Sequence, residues 1–131
     1  VVGLYVLTTS LKARLGFRCN KKDLPLGIGT SSGQFGHAFS FGIADAVTVF
    51  AENAGLADAA ATRVCNACIA ISNEKRNKIV LKALNLIDTI NGVKGAIINY
   101  KGIVGQKGKV PELVRLKNAE TDILKMKFVK K

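Results

Sequence analysis

Tryptophan is absent from the 131 residues, aromatic side chains make up 6%, and there is a single histidine and only two prolines. So few rings leave little from which to build a carbohydrate-binding or ring-stacking site. Long apolar runs are missing too. The longest uncharged stretch, Leu24 to Ala44, contains Pro25 and five glycines, which is poor material for a membrane-spanning helix. The chain starts at Val1 without an initiating methionine, so it is expected to be processed, excised or recombinant. That start resembles neither a signal peptide nor a transit peptide. Acidic residues are scarce: nine Asp and Glu stand against twenty Lys and Arg.

What is present fits one folded domain spanning residues 1–131. Hydrophobic residues are 48% and charged residues 22%, near globular averages, which excludes intrinsic disorder. The net charge of +11 is unevenly spread. Residues 1–22 carry +5, residues 23–74 carry −4 and residues 75–131 carry +10. A basic, near-neutral, basic layout predicts an apolar middle and cationic segments turned toward a polyanion. The plainer reading of the same charge is a solvated, soluble surface.

Periodicity predicts a mainly α domain of four or five helices, joined by long Gly-rich connections able to serve as arms between subunits. Leu4, Leu7, Leu11 and Leu15 make a helical stripe over about residues 4–17. The neighbouring Val1, Val2, Tyr5, Val6, Thr8 and Thr9 favour extended structure instead. Residues 19–37 read as a loop, with Asn20–Asp23 as a turn cluster and Gly27, Gly29, Gly33 and Gly36 beyond it. Phe39, Ile43, Val47, Phe50 and Ala54 recur at helical spacing, with Gly55 placed to stop that helix. A second stripe is Leu56, Ala60, Val64, Ala67 and Ile71; a third, opened by Ser72 and Glu74, is Ile79, Ala83, Leu86 and Ile90. Ala96–Tyr100 fits a short strand or a helical turn, and Gly105–Lys109 reads as a mobile basic loop. Pro111 and Glu112 open a last helix through Leu113, Leu116, Ala119, Ile123 and Met126, with a short terminal strand over Lys125–Phe128 as the alternative.

Motifs for catalysis are weak. Gly27-Ile28-Gly29-Thr30-Ser31-Ser32-Gly33 suggests a nucleotide loop, but the run before it, Asn20 to Leu26, is no buried strand. Gly108-Lys109 is followed by Val110 and has Ile103 where a phosphate loop needs glycine, so that signature fails as well. Both segments read better as flexible loops. Cys65 and Cys68 share a helical face at C-x-x-C spacing, and Cys19 with His37 would complete a zinc-binding set. Buried packing thiols are the simpler reading, with a disulfide as a further one. A hydrolytic triad would have to use His37, which has no nucleophile-elbow motif near it. Asp45 with Glu52, or Asp58, form a thin acidic set better explained by solvation. The expectation is no enzyme and no cofactor.

The basic residues carry the remaining reading. Lys75, Lys78, Lys82, Asn85 and Thr89 form one stripe of the third helix, suited to donate to phosphate oxygens. Lys101, Lys107 and Lys109 on the loop, with Arg115 and Lys117 beyond, would extend the track. Lysine in place of arginine favours diffuse neutralisation over base reading. The expectation is therefore a self-assembling structural protein that coats or packages DNA or RNA, such as a viral coat, nucleocapsid or chromatin-like subunit in a homo-oligomer or filament. The alternative is a secreted or surface filament subunit, or a basic protein acting on anionic membranes.

Overall fold

The structure, a computed structural model, describes residues 2–4, 14–33, 44–69, 75–116 and 127–128. Along the chain lie strands β1 (Val2–Leu4), β2 (Arg14–Arg18), β3 (Gly27–Ser31) and β4 (Ala46–Ala51), then helices α1 (Ala54–Ala67) and α2 (Arg76–Asn85). Strands β5 (Val93–Tyr100), β6 (Ile103–Gly108), β7 (Glu112–Leu116) and β8 (Lys127–Phe128) complete the order. The fold is thus mixed α/β, with two four-stranded sheets, and the expected bundle of four or five helices does not form.

Two compact units make up the chain: Pro25–Val110 is one, and Val1–Leu24 with Pro111–Lys131 is the other. In the outer unit the strand order is β1-β2-β7-β8, antiparallel throughout. Among its described residues Phe17, Leu113 and Val114 are buried hydrophobic side chains. Of the helix expected over 4–17, the described ends are strands β1 and β2; of the last helix, the described residues are β7, while β8 overlaps the terminal strand read as the alternative over Lys125–Phe128. At these described positions the chain pairs across antiparallel strands, so the leucine spacing does not set the structure there.

The inner unit is a sheet of order β3-β4-β5-β6, again antiparallel, with both helices on one face. Val47 and Val49 of β4, with Ala96, Ile98 and Tyr100 of β5, meet Ala60, Ala61, Val64 and Cys65 of α1. Ile79, Val80, Ala83 and Leu84 of α2, followed by Ile87, close the same core. α1 and α2 fall on the second and third stripes read from the sequence. Gly55 does not stop a helix; it sits at the start of α1, whose N-cap is Asn53, the side-chain oxygen accepting from Leu56 N at 2.8 Å. Within the stretch predicted as a helix ending there, the described part is β4, every residue of which is buried.

The Gly27–Gly29 segment is likewise a strand rather than a flexible loop. A Cβ on Gly29 would lie 2.5 Å from the Ala57 carbonyl carbon, and one on Gly27 would overlap the Asn53 backbone. Those glycines let the Ala-rich α1 lie directly on β3. The basic loop expected at Gly105–Lys109 is mostly the edge strand β6, joined to β5 through Lys101 (φ 45°) and Gly102 (φ 85°), the positive-φ pair of a tight hairpin turn.

Candidate functional site

The sheet of the inner unit has a second face, opposite its helices. Strand alternation places Ile28 and Thr30 of β3, Ala46, Thr48 and Phe50 of β4, Ile97 and Asn99 of β5, and Val104 and Gln106 of β6 on it. Phe50, Thr48, Ala46, Ile97 and Asn99 are all buried there. Register sets Thr30 beside Thr48, Ile97 and Gln106 in one row, and Ala46 beside Asn99 and Val104 in the next. The hydroxyls of Thr30 and Thr48 are 3.0 Å apart and hydrogen-bonded.

Asn99 stands out in this face. Only 4% of it is exposed, and neither its side-chain nitrogen nor its side-chain oxygen has a hydrogen-bond partner. Leaving such a group unpaired in the interior costs about 1–3 kcal/mol. Its backbone, by contrast, is held firmly. Asp45 N donates to the Asn99 carbonyl at 2.9 Å, and Lys101 N donates to Asp45 Oδ2 at 2.9 Å. Arg76 Nη1 in turn donates to the Lys101 carbonyl at 3.4 Å. The amide is thus carried on a fixed strand end while its own polar atoms stay unused.

Two of the described thiols have altered acidity. Burial, and then the neighbouring Cys65, pushes the Cys68 thiol up to about 12, and its Sγ donates to the Val64 carbonyl at 3.5 Å. Burial and the Asp23 carboxylate also raise Cys19. All three cysteines are free thiols, with Cys65 and Cys68 packed in the core beneath α1. Among the described residues no three of His, Cys, Asp and Glu come together to hold a metal; His37 lies outside them.

The residues expected to hold phosphate are scattered in their roles. Lys75, Lys78 and Lys82 lie exposed on or beside α2. Asn85 is turned to Lys107, whose Nζ donates to Asn85 Oδ1 at 2.7 Å and pairs with Asp88 Oδ2 at 2.6 Å. Lys101 is exposed in the β5–β6 turn, its Nζ 5.9 Å from the Tyr100 ring centre, and Lys109 follows β6. Arg115 belongs to β7 of the outer unit, and Lys117 lies outside the described residues. Lys107 and Asn85 therefore satisfy each other across β6 and the end of α2. Asn99 and Thr48 were not singled out by sequence reasoning. The one available signal was an amide inside the apolar run Ala96–Tyr100.

The family described as AbpE bacteria matches residues 1–83, well over half of the chain. The chain belongs to this family. The match takes in β1 to β4, α1 and most of α2, including Thr30, Asp45 and Thr48. The chain is also similar to the UPF0280 protein of Methanocaldococcus jannaschii, at 42% identity over 117 residues, 88% of this chain and 47% of that protein. The UPF0280 protein of Methanopyrus kandleri is 44% identical over 120 residues, 89% of this chain and 47% of its own length. That of Methanococcus vannielii is 38% identical over 122 residues, covering 92% and 48% respectively. The chain spans about half the length of these curated relatives.

Family membership and the mixed α/β fold overturn the expectation of a coat, nucleocapsid or chromatin-like packaging subunit. The expected partners fall with it: nucleic acid, a homo-oligomer or filament, and the anionic membrane of the alternative reading. Of that phosphate track the α2 stripe is helical, but the loop meant to close over it is mostly the edge strand β6, and Lys107 there is paired with Asp88.

Proposed function

We propose that this chain is a ligand-binding module of the AbpE bacteria family, without catalytic chemistry of its own, that holds a small uncharged molecule on the second face of the inner sheet. The observation that carries this reading is Asn99, a buried amide whose two polar atoms have no partner. Buried polar groups are paired almost without exception, so an orphaned amide on a fixed strand calls for a partner supplied from outside. The uncharged Thr30–Thr48 pair on the same face supplies further hydrogen-bonding capacity beside it. Cys68, its thiol pushed up to about 12 by burial, stays protonated at neutral pH and is not the nucleophile of this reading.

The test is a thermal-shift screen of small polar metabolites on the chain and on Asn99→Leu. Compounds that raise the melting temperature of the chain and leave the variant unmoved are expected. A screen in which no compound separates the two proteins overturns the reading.

A further inference from the structure

Building on the reading of the Asn99 face as a ligand site, the geometry points to the chemical class of the ligand: a neutral carboxamide or lactam edge, presenting an N–H donor and a carbonyl acceptor side by side. The Asn99 amide offers two N–H donors and one carbonyl oxygen, and all are unpaired. A single planar group with a donor next to an acceptor satisfies both sides of that amide at once, in the manner of a paired amide dimer.

Other ligand types fit only half of it. A carboxylate or phosphate would accept from Nδ2 but set negative charge against Oδ1. Nothing on this face offsets that charge, since its described residues are Ile28, Thr30, Ala46, Thr48, Phe50, Ile97, Asn99, Val104 and Gln106, none of them cationic. An ammonium would donate to Oδ1 and leave Nδ2 without an acceptor. Burying either ion without a counter-charge is costly. The neutral edge engages both Nδ2 and Oδ1, leaving over only the second N–H of Nδ2.

The surroundings suit the same class. Ala46 and Val104 flank Asn99 in register, so a flat group meets short side chains on both sides. Thr48 is one row away on the adjacent strand, a diagonal neighbour at roughly 7–8 Å between backbones. The Thr30–Thr48 hydrogen bond uses one of the two hydroxyl hydrogens, and the other is available to a second carbonyl of the ligand. Thr30 and Gln106, at the two edges of that row, are exposed, and Val104 on the edge strand is half-buried. Entry is therefore from the sheet edge, next to β6.

Pyrrolidinone and N-methylpyrrolidinone are the probes, having nearly the same shape while only the first has an N–H. Isotope-labelled full chain is titrated with each, and the side-chain amide signal of Asn99, assigned by triple-resonance spectra of the unmodified chain, is followed. A saturating shift with pyrrolidinone is expected, weaker by about tenfold or more with the N-methyl compound, since one buried hydrogen bond is lost. Equal shifts with both compounds, or none with pyrrolidinone at millimolar excess, would overturn the ligand class. If the metabolite screen still finds Asn99-dependent compounds, only the class falls; if it finds none, the site falls with it. The N-methyl comparison is made on the unmodified chain, so it holds even where Asn99→Leu fails to fold.

Discussion

Gly29 of β3 and Ala57 of α1 stand so close that a Cβ on the glycine would lie 2.5 Å from the alanine carbonyl carbon. The helix backbone, not a movable side chain, is what it would meet. Gly29→Ala is therefore expected to destabilise the inner unit by about 1–3 kcal/mol, the usual range for overpacking a filled core. Gly55→Ala is the counterpart, because its Cβ would find only the Asn53 side-chain oxygen at 3.6 Å. Near the start of α1 that change is expected to stabilise by about 0.5–1 kcal/mol. Urea denaturation of the two variants, read as opposite shifts in midpoint, checks the pair.

Asn53 caps α1 through its side chain, so Asn53→Ala is expected to cost about 1 kcal/mol. Asn53→Asp, which keeps the accepting oxygen, is expected to retain most of the stability. Equal losses in the two variants would refute the capping role.

The orphaned amide has a stability signature of its own. Replacing Asn99 by Leu removes two unpaired polar atoms from the interior and is expected to stabilise the free protein by about 1–3 kcal/mol. Chemical denaturation without any added compound measures this directly. A destabilised Asn99→Leu would indicate that the amide finds its partners within the chain.

Cys68 fixes the sign of an alkaline transition. Its thiol titrates at about 12 in the folded chain against an ordinary value of 9.0, so above pH 9.0 the unfolded state gives up a proton that the folded state keeps. Stability is complete below that pH and falls as pH rises toward 12, by up to about 1.4 kcal/mol per pH unit for this group. Cys68→Ala is expected to be less stable at neutral pH, through loss of packing, and to show a flatter decline over the alkaline range. Melting temperatures measured across that range in both proteins decide it.

The Lys107–Asp88 pair is short, but Asp88 is largely open to water. Asp88→Ala is expected to lose no more than about 1 kcal/mol, and less as salt is added. A larger, salt-independent loss would mean that the contact orders the end of α2 in some other way.

The two helices were legible because their apolar residues recur on one side while charged residues occupy the other. Leu56, Ala60 and Val64 mark α1, and Ile79 and Ala83 mark α2. β4 was not legible. Ala46–Ala51 is buried on both faces, so its polarity does not alternate, and a run apolar but for Thr48 matches a helix stripe as well as a strand. β3 was hidden by its glycines, which read as loop punctuation although they are the contact surface for α1. The candidate site was hidden for a related reason. Asn99 differs from its apolar neighbours by one amide, and only cross-strand register reveals that Thr48 and Ala46 share its face.

The insertion of Pro25–Val110 between the two parts of the outer unit has a consequence for synthesis. β2 leaves the ribosome early, yet its partner β7 pairs Arg18 with Glu112, after the whole inner unit has been made. Until then β2 has an unpaired edge. A nascent chain halted before Pro111 would hold every segment of the inner unit while its first strands still waited for β7. Slow, chaperone-sensitive maturation would then belong to the outer unit alone.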